Sequence, residues 1–279
     1  MPTGESVHSR GNTGNIRRQP LVLAIETSSR IGSAALALGR DLLEVSAFSA
    51  PLQHSADIFP IIDGLLSRHR HTPSDIRQIH ISIGPGSFTG LRIAVTVAKT
   101  MHLANAARII TIDSLDVVAA NLRDAFAKPP ASSPDERPGG TPNRIAVLFD
   151  AKRGQFYAAV YERVASRDDP TGDIGYRIGA PGNTMWRKTA ADRLMTAREI
   201  IDGFVGPGGL GLLGDGLLYH RDEFDAPGVS VLPQACWSPS AAGVHLLGCQ
   251  KAQTGRFADP LTLIPFYLRG PQVTLRRNP

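Results

Sequence analysis

The strongest structural signal in the sequence is the segment ISIGPGSFTGLR, from Ile81 to Arg92. Its apolar start predicts a strand, its Gly-Pro-Gly triplet a tight turn, and Ser87 or Thr89 is a suitable N-cap for a following helix. Glycines permit close approach of another group, and a helix N-terminus with an arginine nearby can bind an anion. A plain strand-to-helix corner explains the same residues equally well. The candidates for an anion site or structural turn are Gly84, Pro85, Gly86, Ser87, Thr89, Gly90 and Arg92.

Alternating apolar patterns place this segment inside an α/β unit. Apolar spacing predicts strands and helices in the order β-β-β-α-β-α-β. Pro60 lies inside the first helical pattern, so it must fall in the first turn or kink the helix. The predicted strands are Leu21–Glu26, Ser33–Leu38, Leu42–Ser49, Ile79–Ile83 and Arg108–Ile112, and the predicted helices are Ser55–Arg68 and Thr89–Ala107.

The second half of the chain opens like the first. LVLAIE-TSSRIG-SAALAL, from residue 21, is matched about 120 residues later by AVLFD-AKRG-QFYAAVY. Each is a strand ending in a carboxylate, a short polar turn, and a strand that would return antiparallel. The match suggests a duplicated α/β unit, although two unrelated hairpins would look similar.

Glu26 and Asp150 end these two matching strands beside hydroxyl or basic residues. Paired carboxylates across a cleft could hold a hydrated magnesium ion beside a nucleotide. The commoner role for such acids is to cap their own turns. Thr27 and the glycine-rich loop at Gly214 complete this set of weak nucleotide-site candidates. No histidine or cysteine spacing predicts a metal site.

The basic composition does not indicate a nucleic-acid-binding surface. The chain has a formal charge of +5 and a pI near 9.5, but residues 1–19 and 270–279 each carry +2, which leaves +1 for residues 20–269. The body is therefore almost neutral. Two cysteines, no apolar stretch of membrane-spanning length and no secretory h-region favour a protein of the reducing cytoplasm.

Polar and Pro/Gly-rich stretches divide the chain. We predict a disordered N-terminal arm over 1–19, a flexible loop over 128–143 and a tail over 270–279. Between them we expect a first lobe over 20–112 and a second over 113–269. A helix over 239–254 is expected to pack back on the first lobe.

The sequence resembles the TsaB (YeaZ) family over most of residues 21–269. The resemblance is carried by LAIETSSRIGSAALAL, QHSADIFPIIDGLL, GPGSFTGLR with its following helix, ITIDSLDVVAAN, AVLFDAKRGQFYAAVY and LTLIPFYLR. It implies the α/β ASKHA (actin-like, Hsp70-like) fold of two βββαβα-type lobes, here with an incomplete second lobe. It also implies a role in making threonylcarbamoyladenosine next to the tRNA anticodon.

The resemblance further implies a non-catalytic subunit without a cofactor. TsaB-like proteins pair with a catalytic paralogue, TsaD, which a small ATPase, TsaE, joins. The paralogue carries two metal-binding histidines where this chain has Ser114 and Val118 in an ungapped placement. Neither residue can replace an imidazole ligand.

In family terms, two helices of the first lobe form a four-helix bundle with the partner. The predicted contact residues are His54, Ile58, Ile61, Ile62, Leu65, Val95, Thr96, Lys99 and Thr100. This interface requires a second apolar face, because a helix also needs one stripe for its own core. If the apolar residues form only one stripe, they pack wholly against their own sheet.

Two rival hypotheses remain open at the level of the sequence. The chain could be an ATP-dependent ASKHA kinase or hydrolase that uses Glu26, Asp150 and the glycine-rich loops. It could also form a homodimer through the same helices when it is alone. For the subunit that the resemblance implies, contact with tRNA is expected to be mainly indirect, through the TsaD-type partner, and no membrane is involved.

Overall fold

The computed structural model describes residues 19–49, 54–122, 142–164, 177–178 and 185–269. The predicted arm at 1–19, the loop at 128–143 and the tail at 270–279 lie almost entirely outside these ranges. The strands are β1 Leu21–Glu26, β2 Ser33–Leu38, β3 Asp41–Ala47, β4 Ile76–Gly84, β5 Arg108–Asp113, β6 Arg144–Asp150, β7 Phe156–Val164, β8 Arg177–Ile178, β9 Met185–Met195, β10 Leu210–Leu213 and β11 Val229–Val231. The helices are α1 His54–Arg68, α2 Phe88–Asn105, α3 Ser114–Ala120, α4 Ala197–Phe204, α5 Leu217–His220 and α6 Ala241–Gln253.

The first lobe is built on a five-stranded sheet in the order β3-β2-β1-β4-β5. The central strand β1 is buried along its whole length, which its continuous apolar sequence requires. Side chains alternate across it: Leu23 and Ile25 enter the core under α1 and α2, whereas Ala24 belongs to the core shared with the second lobe. The sheet therefore presents one face to its own helices and the other to the lobe junction.

The second lobe repeats this topology in a six-stranded sheet, β11-β10-β6-β7-β9-β8. β6 pairs antiparallel with β7 and parallel with β10, as β1 pairs antiparallel with β2 and parallel with β4. The predicted duplication and the ASKHA fold class are confirmed. Helix α5 spans only 4 residues where its counterpart α2 spans 18, so the second lobe is the reduced one.

Several element boundaries differ from the sequence predictions by a few residues. Pro60 lies in the second turn of α1, not the first as one alternative required, and the helix continues through it. Helix α2 ends at Asn105, two residues before its predicted end, because Ala106 is left-handed with φ 55° and caps the helix. Strand β4 begins at Ile76, three residues earlier than the apolar pattern indicated, and reaches Gly84.

Helix α6 leaves the second lobe and lies on the sheet of the first. The backbone N–H of Ala241, at its first turn, donates to Ser33 Oγ at 2.9 Å. One turn further, His245 Nε2 is 2.9 Å from the carbonyl oxygen of Gly39. Gly248 lies directly over the His80 ring on β4. The helix predicted at 239–254 thus joins the two lobes.

Two buried histidines make this junction sensitive to acid. Burial lowers the pKa of His80 to about 3, and the nearby His245, whose ring centroid is 6.0 Å away, adds to the shift. Below pH 6.5 the His80 ring binds a proton in the unfolded chain but stays neutral in the folded chain. The free energy of unfolding therefore falls as the pH drops from 6.5 towards 3.

We expect His80→Gln to remove the contribution of His80 to this dependence. Between pH 6.5 and 5 the native chain should lose about 2 kcal/mol more unfolding free energy than the variant. Urea titrations at the two pH values measure the difference. Equal losses in both proteins would show that His80 does not contribute.

Candidate functional site

The Gly-Pro-Gly turn is packed tightly against the β1–β2 turn. The backbone N–H of Ser87 donates to the carbonyl oxygen of Ser28 at 2.7 Å, and Ser87 Oγ caps α2 by accepting from the Gly90 N–H at 3.2 Å. A Cβ on Gly86 would lie 2.3 Å from the Ser28 carbonyl oxygen, and one on Gly84 would lie 2.4 Å from that of Phe266. These contacts support the corner interpretation, in which the glycines allow close packing.

Arg92 is directed to the C-terminal segment. Its guanidinium stacks on the Phe88 ring at 3.9 Å, and its Nε donates to Tyr267 Oη at 3.3 Å. Thr89 is exposed beside it, and Pro85 lies within the turn. The predicted anion clamp of turn and arginine therefore has its arginine engaged with two aromatic rings.

Glu26 is buried at the end of β1 and caps its own turn. Its Oε1 accepts from the backbone N–H and the hydroxyl of Ser28, both at 2.5 Å. Burial raises the pKa of Glu26, and the hydroxyls of Ser28 and Ser82 oppose the shift. The neighbouring Thr27 hydroxyl donates to the carbonyl oxygen of Gly90 at 2.8 Å. Thr27 therefore serves the contact between the β1–β2 turn and α2, whereas Glu26 stabilises the turn itself.

A cleft of about 290 Å³ separates the two lobes at the ends of β1 and β6. Asp150 lines it but is engaged with its own turn, since its oxygens accept from the Lys152 N–H at 2.7 Å and Nζ at 2.6 Å. Burial raises the pKa of Asp215, another lining residue, to about 6. Arg30 Nη1 donates to Tyr219 Oη at 2.6 Å and so joins the two walls.

The structure does not bring the predicted nucleotide candidates together in this cleft. Asp150 lines it, but Glu26, Thr27 and Gly214 are absent from its lining. Gly214 has φ +120°, and a Cβ there would lie 2.2 Å from the Leu148 carbonyl oxygen, so its role is local packing. Glu26 and Asp150 therefore do not both line this cleft, which corrects the predicted pairing of the two carboxylates around one ligand.

The helices α1 and α2 each present one stripe to the core and one outward. Four predicted contact residues pack against the lobe's own sheet and leave the candidate surface: Ile58, Ile62, Leu65 and Val95. Thr96 and Thr100 are exposed, Ile61 and Lys99 are partly exposed, and the His54 side chain lies outside the described part.

The outward stripes also contain two apolar residues that the sequence analysis missed. Phe59 on α1 is 61% exposed and Leu103 on α2 is 83% exposed. The signal that could have found them is helical spacing, in which residues three or four apart share one face. Ala56, Phe59 and Asp63 have this spacing on α1, and Thr96, Thr100 and Leu103 have it on α2. We call these six residues the outer helix face.

The sequence analysis also missed a buried charged cluster at the lobe junction. Asp113, Asp116 and Asp192 have carboxylate oxygens within 4.8 Å of one another, and Lys188 lies among them. Ser114 and Val118, at the positions of the paralogue's expected histidines, are fully buried in the same segment. No sequence motif predicted this cluster, because its members come from β5, α3 and β9, in different halves of the chain.

The chain is similar in sequence to known proteins. A family model described as "TsaD: tRNA N6-adenosine threonylcarbamoyltransferase" matches residues 49–180. A protein of Bacillus subtilis named tRNA threonylcarbamoyladenosine biosynthesis protein TsaB is 32% identical over 143 residues, which are 50% of this chain and 55% of the relative. The Escherichia coli protein of the same name is 28% identical over 51% of this chain and 55% of its own length. These matches support the TsaB (YeaZ) family for this chain.

Solved structures show the same fold. A Pseudomonas aeruginosa protein described as similar to peptidase YeaZ superposes with a TM-score of 0.68 at 19% identity, covering 90% of this chain and all of the other. A structure of YeaZ from the same organism gives 0.67 at 18% identity, over 89% and 100%. The sequence matches span only about 55–61% of the length of the first curated relatives.

Within the residues that the structure describes, no helix has the length and apolar content needed to span a membrane. The longest helix, α2, has 18 residues and carries a polar outward stripe that includes Arg92 and Lys99.

Proposed function

We propose that this chain is a non-catalytic, activating subunit of the tRNA threonylcarbamoyladenosine transferase complex in the cytoplasm. It would dimerise with a TsaD-type catalytic paralogue, a TsaE-type ATPase would join the pair, and tRNA contact would run mainly through the partner. The outer helix face carries this proposal. Phe59 on α1 and Leu103 on α2 expose apolar side chains, and the exposed small residues Thr96 and Thr100 on α2 permit close helix approach.

The relatives' names support the pathway part of the proposal, since they are called threonylcarbamoyladenosine biosynthesis proteins. The contacts of Glu26 and Asp150 support the non-catalytic part, since each carboxylate bonds within its own turn. The rival proposal, an ATP-dependent kinase or hydrolase, requires both carboxylates to face one ligand. Asp150 and Lys152 line the cleft and favour it, but the buried Glu26 does not.

Reconstitution of the transferase reaction tests the proposed function. The purified chain alone should transfer no threonylcarbamoyl group to tRNA. Added to the TsaD-type and TsaE-type partners and the carbamoyl-adenylate supply, it should restore activity. Full activity of those partners without this chain, or activity of this chain alone, would contradict the proposal.

A light-scattering series completes this test by separating two assembly states. Alone, the chain can pair with itself through the same helices. Addition of the TsaD-type partner should then replace the homodimer by a heterodimer. A homodimer that persists in excess partner would count against the predicted pairing.

A further inference from the structure

The charged cluster at the lobe junction has the composition of a cation site. Asp113 ends β5, Asp116 lies in the first turn of α3, and Asp192 lies on β9. Each contributes a carboxylate oxygen, and these oxygens lie within 4.8 Å of one another. Hard divalent cations prefer carboxylate ligands at about 2.0–2.6 Å, so opposite ligands around one ion are separated by about 4–5 Å. The three oxygens therefore span the width of a single ion.

A second observation points to a ligand at the same place. Asp116 Oδ2 and Asp192 Oδ2 are buried and have no hydrogen-bond partner among the described residues. The Asp116 side chain is fully buried and that of Asp192 is 3% exposed. Buried carboxylate oxygens are stable only when a cation or a proton compensates them. The cluster thus has more acceptor capacity than its hydrogen bonds use.

Lys188 supplies the positive charge of the cluster. Its Nζ lies 2.7 Å from Asp116 Oδ1, 2.5 Å from Asp192 Oδ1 and 3.6 Å from Asp113 Oδ2. Tyr161 Oη also donates to Asp116 Oδ1, at 2.6 Å. The three carboxylates raise the pKa of Lys188, against its burial, so the ammonium stays charged.

We propose that the Lys188 ammonium occupies the cation position of a three-carboxylate site, where a divalent metal ion would bind if the lysine were neutral. The native chain thereby holds its lobe junction with an internal cation that cannot dissociate. The inference does not depend on the proposed function, because it concerns the contact between β5 and α3 of one half and β9 of the other.

The variant Lys188→Met exposes the site to external cations, because it keeps an unbranched side chain of similar length but removes the charge. In metal-free buffer the variant should be less stable than the native chain. Mn²⁺ should then stabilise it saturably, with one ion bound per chain. At a Mn²⁺ concentration about 100-fold above the dissociation constant, we expect the Tm to rise by roughly 5–10 °C. Thermal melts and Mn²⁺ electron paramagnetic resonance measure the two effects.

Two matched proteins complete the experiment. The native chain should show no saturable response to Mn²⁺, and the double variant Lys188→Met/Asp192→Asn should lose most of the response of the single variant. If Lys188→Met folds only in the presence of Mn²⁺, the proposal is supported. It is overturned if the variant folds but ignores Mn²⁺, if it folds in neither buffer, or if the native chain or the double variant binds Mn²⁺ equally well.

Discussion

Replacing Phe59 by Asp should weaken binding to the TsaD-type partner by about 30-fold or more, with little loss of stability. Phe59 is an exposed aromatic residue on the outer helix face, and such residues contribute about 2 kcal/mol or more where they anchor an interface. The substitution should leave the core of the lobe intact, because Ile58 and Ile62, and not Phe59, fill that core. Thr96→Arg should have a similar effect, because it adds bulk where the helices must approach closely.

The control for this prediction is Ile31→Asp. Ile31 is also an exposed apolar residue, at 51%, but it lies in the β1–β2 turn. Titration calorimetry with the partner, and transferase activity of the reconstituted complex, should separate Phe59→Asp and Thr96→Arg from the control. If all three variants bind and activate like the native chain, the outer helix face is not the partner surface.

The largest effect on stability is expected for Gly248→Ala. A Cβ at this position would lie 2.2 Å from Nδ1 and 2.6 Å from Cγ of His80. The ring cannot move away freely, because it is fully buried and its Nε2 lies 3.2 Å from Gln78 Oε1. Since α6 must then shift from the first sheet, we expect a loss of about 2–3 kcal/mol in unfolding free energy. Urea unfolding measures it.

Two comparisons test the cause of this loss. Gly203→Ala, in α4, adds a methyl group into open space and should stabilise the chain by about 0.5–1 kcal/mol. In a His80→Ala background the cost of Gly248→Ala should largely disappear, because the overlap is removed. A cost that persists in this background would locate the strain elsewhere in α6.

Local patterns were sufficient for most of the first lobe. β1 and β2 have the bounds that their apolar runs predicted, and α1 differs by one residue. The duplicated hairpins predicted the second sheet, since antiparallel return after a short turn is a local property. The predicted end of α2 was wrong because the left-handed Ala106 stops the helix inside its apolar pattern. The predicted start of β4 was wrong because the strand begins before its continuous apolar run.

Site residues were harder to predict because their roles depend on what lies opposite them. Glu26 and Asp150 both end strands before polar turns, yet Glu26 is fully buried and bonds to Ser28, whereas Asp150 faces the cleft. The predicted interface required a second apolar face on α1, and only the assembled lobe distinguishes the buried Ile58 from the exposed Phe59.

The sequence by itself determined the order of strands and helices in the first lobe, the Gly-Pro-Gly corner and the family resemblance, because these depend on residues close together along the chain. Only the tertiary structure decided the lining of the cleft, the outer helix face and the Lys188 cluster. These features join residues that are far apart in sequence, such as Asp113 and Lys188. Their burial and charge are set by neighbours that folding alone brings into contact.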